Sequence, residues 1–346
     1  EQVEKSTHTA LLEPDYSLSS QQIASLSESW NNSPRKLIIC GQMPKNGYLQ
    51  EQLKQLTQDS SVAILVENTS NLSNRGFIHC IDRTINSFTE THPALFQPDL
   101  LITIGGAVIS KKIKAYLRNY KPKKHWKIGT SFQFMDTYQS LTTSIPVAAS
   151  TFFNVVLTSD FKFGLSRYGD QWKQLDYLIQ EKQEHYLEHA EYSDLKVFNL
   201  LLDAIPENSQ LHLGNSSVVR YAQLFDPITS ITHKCNRGTS GIDGSTSTAI
   251  GNCLADPNHL HTFISGDISF FYDSNAFWNN HLPSNFRMFV INNGGGGIFN
   301  IIPGPDTTAM KDKYFVANQS FSAKSICEAF NVNYFSAHSI EEIDSQ

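Results

Sequence analysis

Two polar clusters carry the residue types from which chemistry could be built. One is Gly266-Asp267-Ile268-Ser269; the other, further along, is Asn292-Asn293-Gly294-Gly295-Gly296-Gly297. Each follows a short apolar run, Leu260 to Ser265 in the first case and Phe289 to Ile291 in the second. Such runs, ending at Gly or Asn, read as buried strands of a parallel sheet. Asp267 offers a carboxylate and Asn293 an amide oxygen. The glycine run lets a backbone carbonyl, that of Gly295 first among them, turn inward, because glycine tolerates positive φ. Hard oxygens of this kind suit Mg²⁺, which takes one or two protein side chains together with phosphate oxygens. The N–H groups after Asp267 can face a diphosphate. For either cluster alone ordinary turn formation stays open, since Gly-Asp and Asn-Asn-Gly are common turn sequences.

Arginines supply the second kind of chemistry. Arg220 stands one helical turn beyond Ser216 in the segment that opens on Gly214-Asn215-Ser216-Ser217, so both can face one cleft. Arg237 sits on the Gly-rich turn Asn236-Arg237-Gly238-Thr239-Ser240-Gly241-Ile242-Asp243-Gly244. Guanidinium forks suit carboxylates, although a lone arginine is commonly just solvated surface. Other motifs are weaker. Gly105-Gly106 lacks the glycine order of a dinucleotide loop, because Ala107 and Ile109 stand where glycines are needed. His185 and His189 have a zinc-capable spacing, but Tyr186 stands where a metalloprotease helix carries Glu, and no third ligand is evident from sequence.

The elements that must position these residues alternate as strand and helix. Helices are expected over 21–30, 47–58 and 110–120, with strands over 36–40, 62–66, 100–104 and 125–128, which means a parallel sheet flanked by helices. Gly169 to Ala190 reads as a polar, exposed connector helix. An amphipathic helix over 193–204, a strand over Gln210 to Leu213 and a helix through Phe225 begin a second unit. In it, Ser269 to His281 is expected to form the crossover helix between the two strands first described. The expectation is an α/β chain of two doubly wound parallel-sheet domains, 1–165 and 191–346, joined by a connector over 166–190. The first residues, to about 20, read as irregular.

Bulk composition agrees with a folded α/β chain. At 346 residues, two domains are the natural size. With 40% hydrophobic and 17% charged residues the chain is of globular type. A net charge of −6 without a basic stripe argues against nucleic acid. No apolar run approaches a membrane span. Five cysteines, none in a Cys-x-x-Cys pair, read as free thiols of a cytoplasmic protein.

Taken together and in order, these motifs resemble the menaquinone-pathway family of 2-succinyl-5-enolpyruvyl-6-hydroxy-3-cyclohexene-1-carboxylate synthases, which depend on thiamine diphosphate. The motifs are Gly214-Asn215-Ser216 with Arg220, Asn236 through Gly244, Gly266-Asp267-Ile268-Ser269 with Tyr272-Asp273, and Asn292 through Phe299. The aliphatic Ile268, where the wider superfamily has glycine, is what this branch looks like. The resemblance is strong over the second domain and weaker over the first. It implies a middle domain followed by a diphosphate-binding domain. Asp267, Asn293 and the Gly295 carbonyl would ligate Mg²⁺, and Ser269 with Ile268 and Ser216 would support thiamine diphosphate. Ile242 would prop the bent cofactor, the Ser240 carbonyl would hold its amino group, and Ile298 would lie against it. Lys111, Ser216, Arg220, Arg237, Ile298 and Phe299 would line the substrate pocket.

The reaction implied is decarboxylation of 2-oxoglutarate and 1,4-addition of the resulting succinyl carbanion equivalent to isochorismate. The glutamate that activates the cofactor ring is expected on a domain preceding Glu1. The chain therefore reads as a fragment that is inactive alone, and a homodimer or dimer of dimers when complete. Two rivals stand beside this: another thiamine-diphosphate carboligase of acetolactate-synthase type, and a non-catalytic nucleotide-binding or interaction module.

Overall fold

The computed structural model describes residues 17–89, 92–131, 134–302 and 304–344; most of the N-terminal stretch expected from the sequence to be irregular lies outside the described residues. The chain opens on α1 (Ser20–Asn31). Its start is fixed by a capping box in which the Ser19 hydroxyl accepts the Gln22 N–H and the Gln22 side chain accepts the Ser19 N–H. Next come β1 (Lys36–Cys40), α2 (Gly47–Leu56), β2 (Val62–Val66) and α3 (Ile81–Asn86). They are followed by β3 (Leu100–Ile104), α4 (Lys111–Asn119), β4 (Lys124–Ile128), β5 (Thr143–Ile145) and α5 (Ala149–Thr158). The five strands form one parallel sheet in the order β2-β1-β3-β4-β5. β1, β2 and β3 are buried along their whole length, as continuous apolar runs require when helices cover both faces.

In this order the chain reverses direction across the sheet between β1 and β3, where an open α/β sheet has its ligand crevice. Here the protein itself closes that crevice. The Gly106 N–H donates to the Gln42 carbonyl at 2.8 Å, and a Cβ on Gly41 would lie 2.3 Å from the Gly106 oxygen. Gly105-Gly106 thus serves a close loop-to-loop contact.

α6 (Tyr168–Glu188) corrects the reading of an exposed connector. Its first half packs on the first sheet: Tyr168 and Trp172 are buried, the Tyr168 hydroxyl donates to the Phe96 carbonyl at 2.7 Å, and Trp172 meets Phe88 and Phe96 edge-on or tilted. Only the second half is largely solvated, with Tyr177, Leu178 and Tyr186 exposed. The average polarity of the segment hid an apolar stripe concentrated in its first half, with Leu187 buried again near its end.

The second unit comprises α7 (Asp194–Asp203), β6 (Gln210–Leu213), α8 (Ser217–Ala222), β7 (Thr232–Lys234) and α9 (Ser245–Ala255). It continues with β8 (His261–Gly266), α10 (Asp267–Tyr272), β9 (Phe286–Ile291), α11 (Lys324–Ala329) and α12 (Ile340–Asp344). Its sheet is again parallel, ordered β7-β6-β8-β9. The two doubly wound parallel sheets expected from the sequence are present. The crossover between β8 and β9 is shorter than expected, because α10 stops at Tyr272. There the Asp273 carboxylate turns to accept the Ser247 N–H and hydroxyl, both at 2.7 Å, tying the chain to α9.

The two units share a packed seam. Ile109, from the loop after β3, sits in the core of the second unit with Phe198, Leu211 and Val219. Polar bonds cross beside it: Gln42 Nε2 donates to the Cys235 carbonyl at 2.7 Å, and the His233 N–H donates to Asn71 Oδ1 at 2.7 Å.

Candidate functional site

The site is built on the reversal point of the second sheet. From β6 the chain moves outward to β7, then returns to pair β8 on the other side of β6, and the region beyond the carboxyl ends of β6 and β8 is where an open α/β sheet places its ligand crevice. Leu213 of β6 and Ile264 of β8 are register partners, and Gly266 of β8 pairs with Ile291 of β9. The loops beyond those positions carry Gly214-Asn215-Ser216, Asp267 and Asn292-Asn293, so the two clusters first noticed in the sequence sit at adjacent strand tips.

Asp267 is 2% exposed. Its Oδ1 accepts the Ile268 N–H at 2.7 Å, and its Oδ2 accepts from Gln319 Nε2 at 2.6 Å. The same Gln319 amide donates to Asn292 Oδ1 at 3.1 Å. A positively polarised group therefore lies between two strand-tip oxygens, which is what a bound cation would do. Asn293 is exposed and turns its amide nitrogen to Asp194 Oδ2, at 2.8 Å, at the start of α7. The Gly295 carbonyl accepts the Gly297 N–H at 2.9 Å, and Gly295 itself has φ +152°. Carboxylate, amide and carbonyl oxygens are a hard donor set of the kind Mg²⁺ takes. By donor type these residues suit such an ion, with the Asn293 amide nitrogen turned to Asp194.

Two of the expected cofactor contacts meet directly: the Ser269 hydroxyl donates to the Ile242 carbonyl at 2.5 Å, which fixes the Gly-rich loop to the start of α10. Ser240, in the same loop, has φ +62°, and Ser216, before α8, has φ +72°. Non-glycine residues held at positive φ mark backbone that the surroundings constrain. Ile268 is half-buried. Ile298 is buried in a short turn over Gly297–Asn300, and the neighbouring Phe299 packs edge-on against Phe315.

The arginines converge on the seam. Arg220 Nη1 donates to the Ser216 backbone carbonyl, one helical turn back along the chain. Arg237 Nη1 donates to Asn215 Oδ1 at 2.6 Å, while its buried Nε has no hydrogen-bond partner among the described residues. Among the described residues, the oxygens these two arginines contact are a backbone carbonyl and an amide oxygen rather than a carboxylate. Burial, reinforced by Arg237, holds the Arg220 guanidinium below its usual range. Lys114 is lowered as well, by burial first, with Glu67 opposing and Arg237 and Arg220 adding repulsion. Three cations thus share one field, which an incoming anion would relieve. Lys111 is exposed at the first position of α4.

Four residues in this region escaped sequence reasoning. Asn215, 2% exposed, also donates from Nδ2 to the Asn236 and Gly241 carbonyls at 2.8 and 2.7 Å. Gln319 and Glu67 bond across the chain rather than along it, whereas Lys114 Nζ donates to the Val108 carbonyl at 2.5 Å, close by in sequence. Of these, Asn215 alone stood inside a recognised motif. At the far end of α6, His185 and His189 gain Glu188 as a third side chain with ligand atoms within 4.8 Å, which the sequence had not made evident; all three are exposed.

A family model described as "Middle domain of thiamine pyrophosphate" matches residues 9–213, more than half of the 346. The chain belongs to that thiamine pyrophosphate family. The match runs past 165, through α6 and α7 to the end of β6. The chain is also 41% identical over 318 residues to the 2-succinyl-5-enolpyruvyl-6-hydroxy-3-cyclohexene-1-carboxylate synthase of Flavobacterium johnsoniae, covering 91% of this chain and 56% of that protein. It is 43% identical over 330 residues to the synthase of the same name from Christiangramia forsetii, covering 94% and 57%. For that of Flavobacterium psychrophilum the identity is 43% over 305 residues, covering 88% and 55%. The resemblance drawn from the four motifs is borne out by these relatives. The chain spans just over half the length of the curated relatives it matches. Among its described residues no helix is long and apolar enough to cross a membrane.

Proposed function

We propose that this chain is the cofactor-anchoring and carboxylate-binding part of a thiamine-diphosphate-dependent 2-succinyl-5-enolpyruvyl-6-hydroxy-3-cyclohexene-1-carboxylate synthase. In this reading 2-oxoglutarate and isochorismate are its substrates, in menaquinone biosynthesis. One observation carries it: beyond the strand tips of one sheet stand a buried carboxylate and two arginines that contact, among the described residues, a backbone carbonyl and an amide oxygen rather than a carboxylate.

Mg²⁺ would be held by Asp267, by the Asn293 amide oxygen and by the Gly295 carbonyl. Thiamine diphosphate, when bound, supplies the carbon nucleophile and electron sink for decarboxylation and carbon–carbon bond formation. The chain's own residues bind and orient. Ser269 and Ile268 at the start of α10, with Ser216 before α8, line the diphosphate side, while Ser240 and Ile242 present the constrained loop to the ring. Arg220, Arg237 and Lys111 receive carboxylates and so fix the approach of each acid. Ile298 and Phe299 keep water from the reacting carbon. A homodimeric, cytoplasmic enzyme goes with this reading.

No residue of these 346 is assigned the ring-activating role, so the test reads binding. In calorimetric titration, thiamine diphosphate should bind only with Mg²⁺ present, and Asp267→Ala should abolish that binding. No metal-dependent binding by the unaltered chain would leave a nucleotide-binding or interaction module as the better account. Tighter binding of pyruvate than of 2-oxoglutarate would favour the acetolactate-synthase type.

A further inference from the structure

Two adjacent residues at the end of β2 face opposite ways across the seam. Glu67 is 2% exposed, and its carboxylate accepts the Ile109 N–H at 2.9 and 2.7 Å and the Ser110 N–H at 2.8 Å. Ser110 in turn caps α4, its hydroxyl accepting the Ile113 N–H at 3.0 Å and donating to Asp82. The position of the first turn of α4, which carries Lys111 and Lys114, is therefore dictated by Glu67. Asn68 is 3% exposed and turns to the second unit. Its N–H donates to Gln223 Oε1 at 3.0 Å and its Nδ2 donates to the Ala222 carbonyl at 2.8 Å. Those acceptors terminate α8, the helix that carries Arg220.

We propose that Glu67 and Asn68 form a positioning clamp that sets the spacing between the lysine-bearing start of α4 and the arginine-bearing α8. It rests on the reading of these cations as ligands of substrate carboxylates. The geometry argues for more than local structure. Glu67 and its partners are 42 and 43 residues apart in sequence, and Asn68 and its partners 154 and 155. Every one of these groups is buried or part-buried, so no water competes for the bonds. A carboxylate is also a costly way to hold two N–H groups in a buried loop. Here it lies near Lys114 and Arg220, cations that lower the cost and that the clamp itself keeps in place. Small misplacements of binding groups carry large penalties, so a spacer of this kind governs affinity without touching substrate.

The test uses the full chain, with hydrogen exchange at residues 109–113 and 217–222 and calorimetric binding of 2-oxoglutarate. Glu67→Ala should speed exchange in both segments and weaken 2-oxoglutarate by about tenfold. Glu67→Gln, which keeps an acceptor oxygen, should restore both to within about twofold of the unaltered chain. Asn68→Ala, made independently in case Glu67→Ala does not fold, should open 217–222 and, through the clamp, 109–113. Faster exchange confined to the mutated residue's own side of the seam, with unchanged affinity, overturns the clamp. An unaltered chain that does not bind 2-oxoglutarate overturns the substrate reading instead, and the exchange data then decide the clamp alone.

Discussion

Asp267 is a carboxylate that the fold withdraws from water yet leaves with a replaceable partner, the Gln319 amide. Removing its charge while keeping its shape separates the electrostatic role from packing. Asp267→Asn should fold normally and lose at least about tenfold in Mg²⁺-dependent binding of thiamine diphosphate, since charged contacts to a cation exceed neutral ones; calorimetry reads the difference. Asn215 acts differently, as the hub that aims Arg237 and stitches the Gly-rich loop. Asn215→Ala strands several buried polar groups and should cost about 1–3 kcal/mol in urea unfolding. How far residues of this kind can be read in a sequence depends on the span of their contacts. The Arg220 bond to the Ser216 backbone carbonyl spans a single helical turn. The Asn215 bonds span 21 and 26 residues, and the Gln319–Asp267 bond spans 52. Nothing local announces those.

Strands were the most legible elements, because a buried parallel strand must be a continuous apolar run bounded by turn formers. β1, β2, β3 and β6 coincide with the runs over 36–40, 62–66, 100–104 and 210–213. Helix α6 was misread for a physical reason: its polarity is a mean over two halves with different surroundings. The halves should respond differently to truncation. Trp172→Ala empties a site among Phe88, Phe96 and Tyr168 and should cost about 3–5 kcal/mol. Tyr186→Ala, at a side chain 62% exposed, should stay within about 0.5 kcal/mol. Denaturant midpoints for the two variants check this. The glycine run is an element in its own right. A Cβ on Gly295 would lie 2.7 Å from the Val316 oxygen, at φ +152°. Gly295→Ala should therefore displace the loop, cost about 1–3 kcal/mol and weaken metal binding.

At the scale of the whole molecule, burial of ionisable groups sets the pH range of stability. His212 is pushed down to about 3, and His125 and His233 to about 4, in each case chiefly by burial. An unfolded histidine titrates near 6.5, so these groups contribute full stability above that pH and lose it as pH falls toward 4. Glu67 runs the other way. Burial raises it to about 7, with Asp82 adding and the Ile109 and Ser110 N–H groups and Lys114 opposing. Its penalty accordingly grows as pH rises from about 4.5 to about 7. Between pH 7.5 and pH 5 the three imidazoles together cost roughly 6 kcal/mol at most, against roughly 2 kcal/mol returned by Glu67. Acid destabilisation wins. Urea unfolding should show stability falling steadily below pH 6.5, and Glu67→Gln should steepen that fall by removing the compensating group.

The Gln319 side chain has a consequence for how the protein takes up an ion. An incoming cation competes with a tethered amide already present at effectively high local concentration, so occupancy should be linked to release of the strand of chain around residues 316–321. Gln319→Ala should tighten metal affinity, and saturating Mg²⁺ with diphosphate should make that stretch more open to a protease. In this way the loading state of the crevice becomes readable on the outer surface of the protein.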